Sequence, residues 1–135
     1  MICFVDTSAF LAVLDKNDDH HIKAKTIWLE LLKNKTQFVT TNFVLLETIA
    51  ILQNRIGIDA VQAFNHAIYP LLDIIWIDKH LHDNGVSSVL IAGRKKLSLV
   101  DCISFNVMRQ RDLQSVFTFD KHFSQQGFQT VQPAC

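Results

Sequence analysis

Asp6, Glu47, Asp101 and Asp120 are carboxylates placed where a carboxylate is costly. Asp6 closes the run Ile2-Cys3-Phe4-Val5, and Glu47 separates Phe43-Val44-Leu45-Leu46 from Ile49-Ala50-Ile51-Leu52. Asp101 follows Leu97-Ser98-Leu99-Val100, and Asp120 follows Val116-Phe117-Thr118-Phe119. Taking a charged carboxylate out of water uncompensated costs several kcal/mol or more, so each must be paired, hydrogen-bonded, protonated or metal-bound. The sequence offers no dedicated Arg or Lys partner for all four. If the fold gathers them, their repulsion demands either raised pKa values or a bound divalent cation.

The elements that position them must come from a chain of 135 residues, 49% hydrophobic and 19% charged. That is enough for one domain, residues 1–135, with a substantial core. The 13 Lys+Arg balance the 13 Asp+Glu, so the chain lacks the overall basic footprint of a general nucleic-acid binder. Convergence of four acids in one pocket would nevertheless leave a basic excess around a negative cavity. Cys3, Cys102 and Cys135 form no C-x-x-C pair and are too few for a disulfide framework, which implies a reducing, cytoplasmic setting. The N-terminus has no basic leader segment, and no apolar run approaches the roughly 18 residues of a membrane helix.

Ile2 to Val5 has the length and apolar continuity of a buried strand. Thr7 and Ser8 are candidate caps for a helix over Ala9 to Leu14, and Asp15 to His20 reads as a loop. Ile22, Ala24, Ile27, Trp28, Leu31 and Leu32 recur at helical spacing. A second strand is expected over Phe38 to Thr40, then a helix capped by Thr41 or Asn42 and running to about Arg55, with Gly57 as its stop. Ile58 to Tyr69 predicts a helix ended by Pro70, Leu71 to Ile77 a strand, and His80 to Gly93 a helix. Ser98 caps a helix through Asp101, Phe105 and Met108; Val116 to Phe119 and Gln129 to Val131 are the last strands. This alternation predicts an α/β fold, a three-layer α/β/α sandwich around a mainly parallel sheet of about five strands. In such sheets the functional crevice lies beyond the carboxyl ends of the strands, where Asp6 and Asp120 fall.

Each acid also has a purely structural explanation. Ser98-Leu99-Val100-Asp101 matches a capping box, and Asp6 and Asp120 fit ordinary turns. Glu47 resists such an account, because a helix apolar nearly all round should be buried; a salt bridge to Arg55 or Arg94 is the alternative. The six histidines show no zinc spacing, and His20-His21 reads as solvated loop. No G-x-G-x-x-G, Walker loop or G-x-S-x-G elbow occurs, which excludes the common nucleotide and serine-hydrolase sites. Arg94-Lys95-Lys96 is the one basic cluster, readable as a solvated helix end or as phosphate contacts.

Val5-Asp6-Thr7-Ser8-Ala9, the segment Asn42 to Thr48 containing Glu47, Leu97-Ser98-Leu99-Val100-Asp101, and Thr118-Phe119-Asp120-Lys121-His122-Phe123 together resemble the four motifs of PIN-domain ribonucleases. The similarity is greatest to VapC-type toxins of toxin–antitoxin pairs, and it spans the whole chain in order and spacing. The resemblance implies a metal-dependent endoribonuclease, a hydrolase of RNA that forms a homodimer and is silenced by a small antitoxin. It carries over Asp6, Glu47, Asp101 and Asp120 as ligands of Mg2+ or Mn2+ or their supporting shell, with Ser8 and Thr118 as ordering hydroxyls. Carboxylates suit those hard cations, which keep positions open for substrate phosphate. Some members carry a further acid just after the fourth; here Lys121 and His122 stand there, leaving one metal or two open. The helices from Ile22 to Leu32 and Ile58 to Tyr69 are candidates for the dimer face, and an antitoxin Arg placed among the carboxylates is the expected means of silencing.

The alternatives are a housekeeping PIN nuclease without an antitoxin, a catalytically silent PIN-like module, an aspartyl phosphatase with Asp6 as nucleophile, and a phosphoaspartate receiver with Asp78 as acceptor. Ser8 stands where the phosphatase wants a second acid, and Thr7 where the receiver wants one.

Overall fold

The computed structural model describes residues 1–134; Cys135, one of the three cysteines, lies outside them. β1 (Ile2–Val5) leads directly into α1 (Thr7–Leu14), and α2 (His21–Lys33) returns the chain to β2 (Gln37–Thr41). The long α3 (Asn42–Arg55) and short α4 (Ile58–Ala63) precede a π turn over Phe64–Ile68 and a 3-10 turn over Tyr69–Leu71. Then come β3 (Leu72–Ile75), α5 (Lys79–Ala92), α6 (Leu99–Gln110), β4 (Ser115–Phe117), α7 (Lys121–Gln125) and β5 (Gln129–Thr130).

All five strands are parallel, in the order β3-β2-β1-β4-β5. Parallel pairing requires crossovers, and right-handed crossovers put the connections running in one direction along the sheet on one face and those running back on the other. Accordingly α1 packs on α2 and α3, with α4 on α3, while α5 pairs with α6. β1 is central, and Cys3, Phe4 and Val5 are wholly buried, as expected of a strand covered on both faces. Phe4, Phe10, Phe64, Phe117 and Phe123 are the largest fully buried side chains. Gly85 allows α5 to lie against α6, since a Cβ there would overlap the buried side chain of Ile103.

Several boundaries differ from expectation. Asp6, rather than Thr7 or Ser8, caps α1, because its carboxylate accepts the Ser8 N–H. Pro70 does not end a helix; it occupies the first turn of the 3-10 segment, where its missing N–H costs nothing. β3 is shorter than Leu71 to Ile77 and stops before Asp78, which caps α5 by accepting the Leu81 N–H at 2.9 Å. Asp78 is therefore accounted for as a cap, and the sheet order differs from the 2-1-3-4-5 order of receiver domains.

Candidate active site

The strand order turns back between β1 and β4, and such a switch point opens a crevice at the carboxyl edge of the sheet. Phe4 pairs with Val116 and Val5 with Phe117, and the Asp6 N–H continues the ladder to the Phe117 carbonyl at 3.1 Å. Asp6 and Thr118 therefore leave neighbouring strands side by side. One carboxylate oxygen of Asp6, Oδ2, accepts from Ser8 Oγ at 2.8 Å, Thr118 Oγ1 at 3.0 Å and the Ser8 N–H at 3.4 Å. Ser8 Oγ in turn accepts the Phe119 N–H at 2.9 Å, and Thr118 Oγ1 accepts the Asp120 N–H at 3.0 Å. The two hydroxyls thus tie the first acid to the loop that carries the last.

The other acids arrive on helices. Asp120 caps α7 through the His122 N–H, 2.9 Å from Oδ1. Asp101 completes the capping box foreseen with Ser98, donating its N–H to Ser98 Oγ at 3.1 Å while its own Oδ2 accepts the Ser98 N–H at 3.4 Å. Structural and functional explanations of these residues are not rivals: the cap fixes the carboxylate that the site uses. Glu47 lies on α3 above Thr7 and Thr48, whose hydroxyls are 3.3 Å apart. It is only half-buried, correcting the expectation that an apolar helix should be buried, because Leu46 and Ala50 on the same helix are exposed. Neither Arg55 nor Arg94 pairs with it, and among the described residues no Lys or Arg forms an ion pair with any of the four acids.

Three of the four carboxyls hold their protons more tightly than usual. Burial pushes the Asp6 carboxyl from its ordinary 3.8 up to about 6; the charge of Asp101 adds to this, and the bonds from Ser8 and Thr118 oppose it. Glu47 is raised by burial and by the charges of Asp6 and Asp120, against a lowering contact from Thr7. Asp101 is raised by burial and then by Asp120, with Ser98 opposing and Glu47 adding. Burial first, and then the charge of neighbouring carboxylates, raises Asp6, Glu47 and Asp101 alike, as expected of acids held close together with little water around them.

His122 is the residue that sequence reasoning undervalued. Its Nδ1 lies 3.1 Å from Asp120 Oδ1 and 3.9 Å from Asp101 Oδ2, and donor atoms of the three residues all fall within 4.8 Å of one another. The signal was its place two residues beyond Asp120, where some members of the family carry a further acid. His20 is exposed, as expected, although its ring stacks on Phe119 with centroids 4.5 Å apart; His21 is only part-exposed, with Nδ1 2.7 Å from the Ala12 carbonyl. Arg94, Lys95 and Lys96 are exposed in the connection that precedes the Ser98 cap.

A family model described as PIN domain matches residues 3–129. The 23S rRNA-specific endonuclease VapC20 of Mycobacterium tuberculosis is 31% identical over 131 residues, covering 96% of this chain and 98% of that protein. Its crystal structure, described as that of a sarcin-ricin loop cleaving toxin, superposes with a TM-score of 0.84 over 98% of this chain and 100% of that one, at 31% identity. FitAcB from Neisseria gonorrhoeae aligns at a TM-score of 0.66 and 17% identity, over 98% of each chain. VapBC2 from Rickettsia felis aligns at 0.67 and 15%, over 97% of this chain and 98% of that one; these last two speak for the fold alone.

Proposed function

The chain belongs to the PIN-domain family as a VapC-type endoribonuclease, and from that premise we propose that Asp6, Glu47, Asp101 and Asp120 form a Mg2+- or Mn2+-dependent site for hydrolysing RNA phosphodiester bonds. The observation that carries this reading is the gathering of four carboxylates with no Lys or Arg partner among the described residues, His122 being the one basic side chain beside them. Such a donor set fits a hard divalent cation, and the buried, unpartnered Nδ1 of His122 at its edge adds a further lone pair. When bound, the cation supplies Lewis-acid stabilisation of charge at the scissile phosphate and activation of water.

The protein's own part is arrangement. Ser8 and Thr118 hold Asp6 Oδ2, while no described residue hydrogen-bonds Oδ1. The helix caps fix Asp101 and Asp120, and Glu47 on α3 lies near enough to feel the charges of Asp6 and Asp120. Thr118→Val should remove the donor to Asp6 and orphan the Asp120 N–H. We expect a stability loss of about 1–3 kcal/mol and a fall in cleavage of roughly 10- to 100-fold, read by urea unfolding and initial rates.

Arg94, Lys95 and Lys96 are read as phosphate contacts for RNA approaching the Asp101 side of the crevice. The direct test is incubation with ribosomal RNA, the substrate class named for the 31%-identical relative, in Mn2+, in Mg2+ and in EDTA. Cleavage should require metal and return when metal is restored; equal cleavage in EDTA overturns the reading. With the three basic residues replaced by Ala, RNA affinity should weaken and the log–log salt slope should fall by about 2, as expected for three lost contacts to single-stranded RNA.

The same premise supports a toxin role with two protein partners, a second copy of the chain and a small antitoxin. Exposed apolar side chains favour assembly: Ile22 and Leu29 on α2, Ile58 on α4, and Leu90 and Ile91 on α5 all face solvent. Light scattering should report about twice the 15.4 kDa chain mass; a monomer at high micromolar concentration contradicts the dimer. A short reading frame beside the gene, whose product suppresses cleavage on co-purification, would identify the antitoxin.

A further inference from the structure

His122 reaches the carboxylate cluster from a rigid base. Its neighbour Phe123 is fully buried and packs against Phe105 with centroids 4.9 Å apart, and its own N–H is held by Asp120. The ring therefore has little freedom to turn away. Nδ1 is buried, yet no hydrogen bond satisfies it, although Asp120 Oδ1 lies only 3.1 Å away. An imidazole nitrogen left unpartnered in a protein interior calls for an explanation. Adjacent ligands around an octahedral cation with bonds of about 2.0–2.2 Å are separated by about 3 Å. The spacing of Nδ1 and Asp120 Oδ1 matches such an edge, and Asp101 Oδ2 lies 3.9 Å from Nδ1 on a second helix.

We propose that His122 Nδ1 is a direct metal ligand, so that the site is a mixed nitrogen and oxygen centre built on Asp101, Asp120 and His122 and holds Mn2+ in preference to Mg2+. The inference rests on the divalent-cation reading of the same carboxylates. Mg2+ gains little from exchanging water or carboxylate oxygen for imidazole, whereas first-row transition ions bind nitrogen more readily.

Mn2+ bound to the full chain in the absence of RNA should show nitrogen modulation in pulsed electron paramagnetic resonance, and His122→Ala should abolish it. In calorimetry the same variant should weaken Mn2+ binding by at least about tenfold while changing Mg2+ by less than about threefold. His122→Asp, which restores an oxygen donor, should bind both ions without nitrogen modulation and keeps the proposal testable if the Ala variant folds poorly. Bound Mn2+ with no nitrogen signal in the wild type, or a signal that survives in both variants, overturns the proposal and leaves the carboxylate site intact. Tighter binding of both ions by His122→Ala would mark the imidazole as an internal counter-cation and also overturn it. If the wild type binds neither ion, the cation reading of the acids falls as well.

Discussion

Replacing Asp101 with Asn should lower RNA cleavage by about 10^3-fold while leaving the fold as stable as before or more so. The loss follows from removing one carboxylate of the cation site, since the several kcal/mol of charge stabilisation that a bound metal supplies corresponds to about three orders of magnitude in rate. The retained fold follows from the cap: the Asn side-chain oxygen can still accept the Ser98 N–H, and the backbone bond to Ser98 Oγ is untouched. Burial and the nearby charges of Asp120 and Glu47 all disfavour the ionised Asp101, so a neutral side chain removes repulsion from the metal-free protein. Melting temperatures in EDTA and single-turnover cleavage in Mn2+ check both halves. A variant that unfolds yet retains full specific activity in its soluble fraction would make Asp101 a capping residue and nothing more.

The second large effect is a pH dependence confined to the metal-free state. Asp6 has a folded-state pKa of about 6 against an ordinary 3.8, so the folded protein holds this proton more tightly than the unfolded chain. Its contribution to stability is therefore fully present below about pH 4 and is lost as pH rises through 6, amounting to about 3 kcal/mol by neutral pH. Other carboxylates titrate too, so the clean observable is the difference between wild type and Asp6→Asn. That difference should be near zero at about pH 4 and should favour the variant by about 3 kcal/mol at pH 7.5 in EDTA. Saturating Mn2+ should close the gap for the wild type by binding the folded state. A difference in urea midpoints that does not change with pH would mean that neither burial nor Asp101 disfavours the ionised Asp6 in the folded protein.

These expectations depend on facts of two kinds. The strands were legible because short apolar runs such as Ile2 to Val5 can bury both faces only as strands, and the caps because Ser98-x-x-Asp101 and Thr41 satisfy helix N–H groups within a few residues. The four acids were legible for the same local reason: each interrupts an apolar segment that has no use for charge. The family resemblance added their grouping, but their spacing along the chain does not contain it.

What the sequence left open was settled by contacts between residues far apart in the chain. Asp6 and Thr118 meet because β1 pairs with β4 rather than with β3, a choice of strand order that no local periodicity encodes. Glu47 turned out half-exposed because α3 leaves Leu46 and Ala50 uncovered, and an apolar helix face reads the same whether or not another element covers it. Pro70 sits inside a continuing turn because the π and 3-10 segments around it need no N–H at that position. His122 escaped notice as a site residue because one histidine beside one aspartate is unremarkable in a sequence. Its nitrogen becomes significant only when α6 brings Asp101 within 3.9 Å and the packed core denies that nitrogen any other partner. Local chemistry determined which residues could act; the order of the strands and the burial around their ends decided which of them act together.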